Sequence, residues 1–284
     1  MQLSIIETLE EKLGNSAKLS AILIQGGSAG GKSTMANHLY EYLKQSKRVA
    51  LILLDSFYKA TPQISSIRSQ RKYDFDNPAA FDWKAFENVI ESYALKRKRI
   101  NKYSYDYVTM ESSYVEIDNS YPEILIIEGL YSFNLFSDYC FNLNAFNCNK
   151  LLKDHDLTKA YKNNGFLLRN SFNILKIKFV LKKEIMKSIR IERDVKERFK
   201  ENFEEERKSL ENHFDLTIWP ATEKLIQNEK VKADITVENG TFNCKKCNLI
   251  INGIFDIFGV KGERIHFYDK LGEKTIFPRI LLKE

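Results

Sequence analysis

Gln25 to Thr34 reads Q-G-G-S-A-G-G-K-S-T, and no other stretch of the chain restricts the fold so tightly. Gly26, four intervening residues, Gly31, Lys32 and Ser33 satisfy the G-x-x-x-x-G-K-[ST] phosphate loop, or Walker A pattern. Its glycines let the backbone turn so that successive N–H groups face phosphate oxygens at the positive end of the next helix. Lys32 then reaches the β- and γ-phosphates, and the Ser33 hydroxyl is set to ligate Mg²⁺. Leu19 to Ile24 is a short apolar run, as a buried parallel strand requires. Met35, Leu39, Tyr40 and Leu43 then recur at the spacing of a helix with one buried face. Strand, glycine turn and helix are the setting the pattern needs. A nucleoside triphosphate is expected on Gly27, Ser28, Ala29, Gly30, Gly31, Lys32, Ser33 and Thr34.

Two more apolar runs end in acids. Val49 to Leu54 leads into Asp55, and Glu123 to Ile127 leads into Glu128-Gly129. Ligands of an α/β sheet bind beyond the carboxyl ends of its strands. A carboxylate at Asp55 is therefore placed to take the proton of an attacking hydroxyl, to help hold Mg²⁺, or both. Further strands are expected at Leu175 to Leu181 and Ala233 to Val237. The alternating aromatic residues Tyr103, Tyr105, Tyr107 and Tyr114 mark Ile100 to Ile117 as a β-hairpin with one aromatic face. The expected fold is α/β, three layers on a mostly parallel central sheet with this hairpin as an excursion.

Elsewhere the pattern is less specific. Asn77 and Pro78 signal a helix start, and the helix is expected to run to about Arg99, with Lys96 to Arg99 in its last turn. Asp74, Phe75 and Asp76 precede the cap, free to meet a ligand. Residues 132–173 follow no clean period and read as an insertion. A charged helix is expected over 183–212, either a solvated face with ion pairs or a lid whose cations close over phosphates. Another helix is expected from near Trp219. The organisation read from this is an N-terminal helix over 1–18, a phosphate-binding domain over 19–240, and a small β-rich appendage over 241–284.

Composition narrows the partners. The net charge of +6 comes without a long basic tract, so nucleic acid is not an expected partner. No apolar run approaches a membrane span, and the acidic N-terminus reads as an amphipathic helix, not a signal peptide. Four cysteines are too few for a disulfide framework at this length. Cys244 and Cys247 have the spacing of half a zinc site without a second such pair, so reduced, structural thiols and a cytoplasmic setting are expected.

Together the stretches G-G-S-A-G-G-K-S-T, D-S-F-Y-K, Y-D-F-D-N-P-A-A-F-D-W, Y-D-Y-V-T, I-I-E-G and R-I-E-R-D-V-K-E-R resemble the uridine kinase branch of the phosphoribulokinase/uridine kinase family. They run in family order from residue 19 to about 237. The resemblance implies pyrimidine salvage chemistry, with ATP and Mg²⁺ as cofactors and phosphoryl transfer to a ribose 5′-hydroxyl. It implies Asp55 and Lys32 as catalytic residues, Asp55 as the general base, and Ser33, Asp55 and Glu128 around the metal directly or through water. Tyr58, Phe75, Asp76, Tyr105, Tyr107 and Arg193 would meet the nucleoside, and Arg190, Arg193, Arg198 and Lys200 would form the phosphate-gripping lid. Related chains often form homo-oligomers; the altered tail leaves that open here.

Two departures matter. Met110 and Ser112 stand where the family usually has a histidine facing the pyrimidine and an arginine. The lid reads E-R-F-K in place of E-R-G-R. Three readings follow: a uridine/cytidine kinase with an altered base pocket, a kinase of another small hydroxylated substrate such as a sugar phosphate, and a nucleotide-binding regulator with little turnover.

Overall fold

β1 (Leu19–Gly26) runs through the middle of the molecule, and every residue from Ser20 to Gly26 is buried. A strand covered on both faces has no reason to alternate polar with apolar residues, which is why it reads as a continuous apolar run. The structure is a computed structural model that describes residues 2–15, 17–59, 74–107, 109–137, 139–141, 160–162, 167–198 and 203–260. Its main sheet adds β2 (Val49–Leu53), β5 (Ile124–Gly129), β8 (Phe172–Val180) and β9 (Ile235–Glu238), in the order β2-β5-β1-β8-β9. Every neighbouring pair is parallel.

The period of two along β1 divides the core. Ile22 and Ile24 face one layer, where Leu9 of α1 (Gln2–Leu13), Met35 and Leu39 of α2 (Lys32–Leu43) and Ile250 of the C-terminal helix are buried with them. Ala21 and Leu23 face the other layer, with Phe86 and Val89 of α3 (Trp83–Ala94). The aromatic hairpin is β3 (Arg99–Asp106) and β4 (Glu111–Asp118), antiparallel with Tyr103 opposite Tyr114 and Tyr105 opposite Ser112. Within the expected insertion, a short pair joins β6 (Tyr139–Phe141) to β7 (Ala160–Lys162). The three layers and parallel sheet expected from the sequence are present.

Four local expectations differ from what is observed. The helix signalled at Asn77 is one 3₁₀ turn, Pro78–Ala80, with Asn77 accepting from Ala79 N at 2.9 Å. Helix α3 starts afresh under its own cap, Asp82, whose carboxylate accepts from Ala85 N at 3.0 Å. It stops at Ala94, because Lys96 takes a left-handed conformation (φ 51°), so the basic run lies beyond the helix. Arg99 instead pairs with Glu116 at 2.9 Å and Asp118 at 3.3 Å across the hairpin.

The charged segment after β8 is helical on both sides of 199–202, over α4 (Lys183–Arg198) and α5 (Phe203–His213), and 199–202 lie outside the described residues. No new helix begins at Trp219. The chain continues from α5 through widened π turns over Phe214–Ile218 and Thr222–Ile226, which flank the short α-helical Trp219–Ala221. Pro220 lacks an N–H and crowds the preceding turn, and such bulges absorb the mismatch.

The β-like reading of the C-terminal apolar run is corrected most sharply. Leu249 to Ile257 belongs to α6 (Cys244–Ile257), capped by Asn243, which accepts from Lys246 N at 3.3 Å. Ile250, Ile251 and Ile254 are buried in the layer shared with α1. Gly253 sits where a Cβ would overlap the Leu9 side chain, so the glycine lets the two helices touch. Residues 261–284, the remainder of the expected appendage, lie outside the described residues.

Candidate active site

The turn between β1 and α2 stands at the carboxyl end of the sheet, where β1 separates connections that run to opposite sides. Gly31 closes the turn with φ 82°, and an added Cβ would overlap Thr241. Both facts demand glycine at this position. A second segment supports the loop from behind, since Thr241 N donates to Gly30 O at 3.3 Å. Lys32 is buried, with Nζ donating to Gly27 O at 3.1 Å and lying 3.5 Å from Glu128 Oε1. Ser33 Oγ donates to Glu128 Oε2 at 3.1 Å. Parallel register puts Glu128 beside both Ile24 and Leu53, at the ends of the neighbouring strands. Burial pushes the Glu128 carboxyl upward and Asp55 adds to this, while the Lys32 charge pulls it back.

Asp55 sits on a 3₁₀ turn, Leu54–Phe57, that follows β2 directly. It is open to solvent, yet it lies among charges that all act on it. The surrounding protein and Asp76 raise its pKa, against Lys32, a hydrogen bond from Tyr107 and Arg190. Solvent at the carboxylate limits that rise. Tyr107 Oη donates to Asp55 Oδ2 at 3.3 Å, a contact from the hairpin to the sheet edge that no local pattern signals. Three expected site residues, Lys32, Ser33 and Glu128, are thus in mutual contact, and Asp55 is within electrostatic reach of Lys32.

An aromatic wall stands next to them. Tyr58 is buried, with ring centroids 4.4 Å from Phe81, 5.4 Å from Phe75 and 5.4 Å from Tyr105. Tyr105 and Tyr107 lie 5.1 Å apart, edge to face. Tyr58 bridges Phe81, and Asp82 N donates to Phe57 O at 2.7 Å, so the turn carrying Asp55 is tied to the segment carrying Asp76.

Asp76 is buried, and Arg190 grips it with both arms: Nη1 to Oδ1 at 3.1 Å and Nη2 to Oδ2 at 3.2 Å. Tyr131, fully buried just past β5, donates its hydroxyl to the Asp76 carbonyl. Arg190 Nε lies 3.5 Å from Asp194, one turn along α4. Burial disfavours the Arg190 charge, but Asp76 and Asp194 more than offset this and its pKa is raised. Arg193 also turns to Asp194, with Nε at 3.0 Å and Nη2 at 2.8 Å from Oδ1. Of the expected lid cations, Arg198 ends α4, and Lys200 lies outside the described residues.

Asp74, expected from the sequence to be free to meet a ligand, is instead a second buried acid of this loop. Its Oδ1 accepts from Asp76 N at 3.1 Å, and its Oδ2 has no hydrogen-bond partner. Burial, with the Asp76 charge next, pushes its pKa up to about 8, against hydrogen bonds from Asp76 N and Asn77 and the Arg190 charge. Folding therefore favours the protonated form. The folded chain retains a proton that the unfolded chain releases as the pH rises from 3.8 to about 8, so Asp74 erodes stability across that window. Asp74→Asn is expected to raise the melting temperature at pH 8 and to leave it close to native at pH 4. Melting curves at the two values check this, and an equal shift at both would contradict it.

Cys244 and Cys247 stay in the core. Cys244 Sγ donates to Thr241 O at 3.0 Å, Cys247 is fully buried, and among the described residues no cluster of three His, Cys, Asp or Glu side chains forms a metal cage. No described helix is long and apolar enough to cross a membrane.

With this geometry in view, residues 21–137 match the Phosphoribulokinase / Uridine kinase family. The matched segment holds the phosphate loop, Asp55, Asp76, the hairpin and Glu128. A uridine kinase of Mycoplasma pneumoniae is 34% identical over 117 residues, 41% of this chain and 54% of that protein. The chain thus spans about half the length of the bacterial relatives it matches. A longer, more distant match, uridine-cytidine kinase B of Dictyostelium discoideum, is 25% identical over 260 residues, 90% of this chain and 84% of that protein. Among solved structures, a candidate fructose transport system kinase from Silicibacter sp. TM1040 superposes with a TM-score of 0.54 at 14% identity, covering 84% of this chain and 98% of the other. That likeness concerns the fold alone.

Proposed function

We propose that this chain transfers the γ-phosphoryl group of ATP to the 5′-hydroxyl of a pyrimidine ribonucleoside, giving uridine or cytidine monophosphate. One observation carries the reading: a phosphate loop, two carboxylates and an aromatic wall converge on one rim of a parallel sheet. The names of the relatives from Mycoplasma and Dictyostelium supply the acceptor class.

The residues fit both cofactors. The Gly27 to Thr34 turn offers backbone N–H groups at the start of α2, with Lys32 beside it, as a triphosphate requires. Ser33, Glu128 and Asp55 provide only oxygen donors, the set that suits a hard cation such as Mg²⁺. When bound, the metal neutralises charge on the transferring phosphates. Asp55 takes the proton of the acceptor hydroxyl as its oxygen bonds to the γ-phosphorus and the ADP oxygen leaves. Asp76 keeps lone pairs beyond the two that Arg190 uses, and these accept from ribose hydroxyls. Catalysis of this kind is mostly positioning and charge neutralisation.

The test is ADP release across an acceptor panel. Uridine and cytidine are expected to drive it above pentose phosphates and simple alcohols. Met110 standing where a histidine facing the pyrimidine is expected leaves a second reading, a kinase of another small hydroxylated substrate, and faster release with a sugar phosphate would select it. Tight ATP binding without ADP release for any acceptor would leave only a regulatory role.

A further inference from the structure

Met110 is buried at 5% exposure and takes φ 60°, in the left-handed region that non-glycine residues avoid. The turn before β4 holds this conformation while the side chain packs inward, where Tyr105 Oη donates to Met110 Sδ at 3.2 Å. A thioether is a weak acceptor and no donor. The nearby Tyr107 hydroxyl is directed at Asp55. Tyr103 and Tyr105 share one face of β3, Tyr107 just past the strand packs edge to face on Tyr105, and Asp106 lies on the other face, opposite Glu111. The hairpin side of the wall is therefore rings, sulfur and the Ser112 hydroxyl opposite Tyr105, without a carboxylate, amide, imidazole or guanidinium among the described residues. Tyr58 and Phe75 continue it as rings, 5.4 and 6.4 Å from Tyr105.

We propose that this wall selects its acceptor by packing against a flat ring and not by hydrogen bonds to the ring's edge, with Met110 as the specificity-determining residue. Ribosides whose aglycone has no polar edge are then substrates alongside uridine. The inference rests on the nucleoside-kinase reading and narrows it. Its magnitude follows from how sites discriminate. A site built to hydrogen-bond a substrate group rejects an analogue lacking that group by about 10⁴–10⁵, whereas an apolar pocket separates similar ligands by only about 10–200-fold.

The experiment measures kcat/KM from ADP release for uridine and for the C-riboside bearing a phenyl ring in place of uracil. The expected gap for the native chain is below about 10³-fold, between those two regimes. A larger gap in favour of uridine overturns the inference and leaves the kinase reading intact. Met110→His, a residue that tolerates the left-handed region better, introduces a ring N–H and is expected to widen the gap at least tenfold. An unchanged gap in that variant, with a native-like melting curve, removes Met110 from the role. If neither riboside is phosphorylated while a sugar phosphate is, the nucleoside reading fails and this inference falls with it.

Discussion

Asp55→Asn is expected to bind ATP as the native chain does while turnover falls by about 10²–10⁴, the range of a lost general base. The amide keeps the size of the side chain but cannot take a proton. The position is specific: Asp55 stands where β2 ends, receives the Tyr107 hydroxyl at 3.3 Å and feels the charge of Lys32. The phosphate loop is not touched by this change, since Lys32 and Ser33 lean on Glu128. ATP affinity and single-turnover rate, measured on the same preparation, separate the two effects. Unchanged turnover would remove Asp55 as the base.

Arg190→Ala is expected to lower stability by about 3–5 kcal/mol, because it leaves Asp76 buried and unpaired. The Arg190 side chain is 13% exposed and that of Asp76 3%, so water does little to replace the lost partner. Asp74 compounds the effect, since a second acid lies in the same buried loop with one oxygen unpartnered. An apolar replacement of both partners, Arg190→Met with Asp76→Leu, should regain much of the stability, as buried pairs often contribute little net. Urea unfolding of the single and double variants tests this. A single-variant loss under about 1 kcal/mol, the value of a solvent-exposed pair, would contradict the assignment.

The contact between Arg190 and Asp76 also shows where sequence reading stops. Arg190 was legible as a cation on a charged helix, with phosphates or solvent as its partner. Its observed partner lies 114 residues earlier, and no local period encodes such a pairing. The phosphate loop was legible because one chemical task fixes glycine, lysine and serine within a few residues. Asp55 and Glu128 were legible for a related reason, since apolar runs ending in an acid mark the carboxyl ends of buried strands. The segment Leu249 to Ile257 misled because its β-branched and aromatic residues favour strands locally. Packing against Leu9 across Gly253 overrides that preference. Tyr107 read as part of an aromatic hairpin face, but only the folded hairpin brings its hydroxyl to Asp55.

The most direct test of phosphoryl transfer at this rim uses ATP labelled at the γ-phosphorus, with uridine as acceptor and the product resolved by position. Label is expected in uridine 5′-monophosphate with the native chain and nearly absent from it with Asp55→Asn. Label that appears only as inorganic phosphate, or in the nucleotide equally with both chains, would contradict the account.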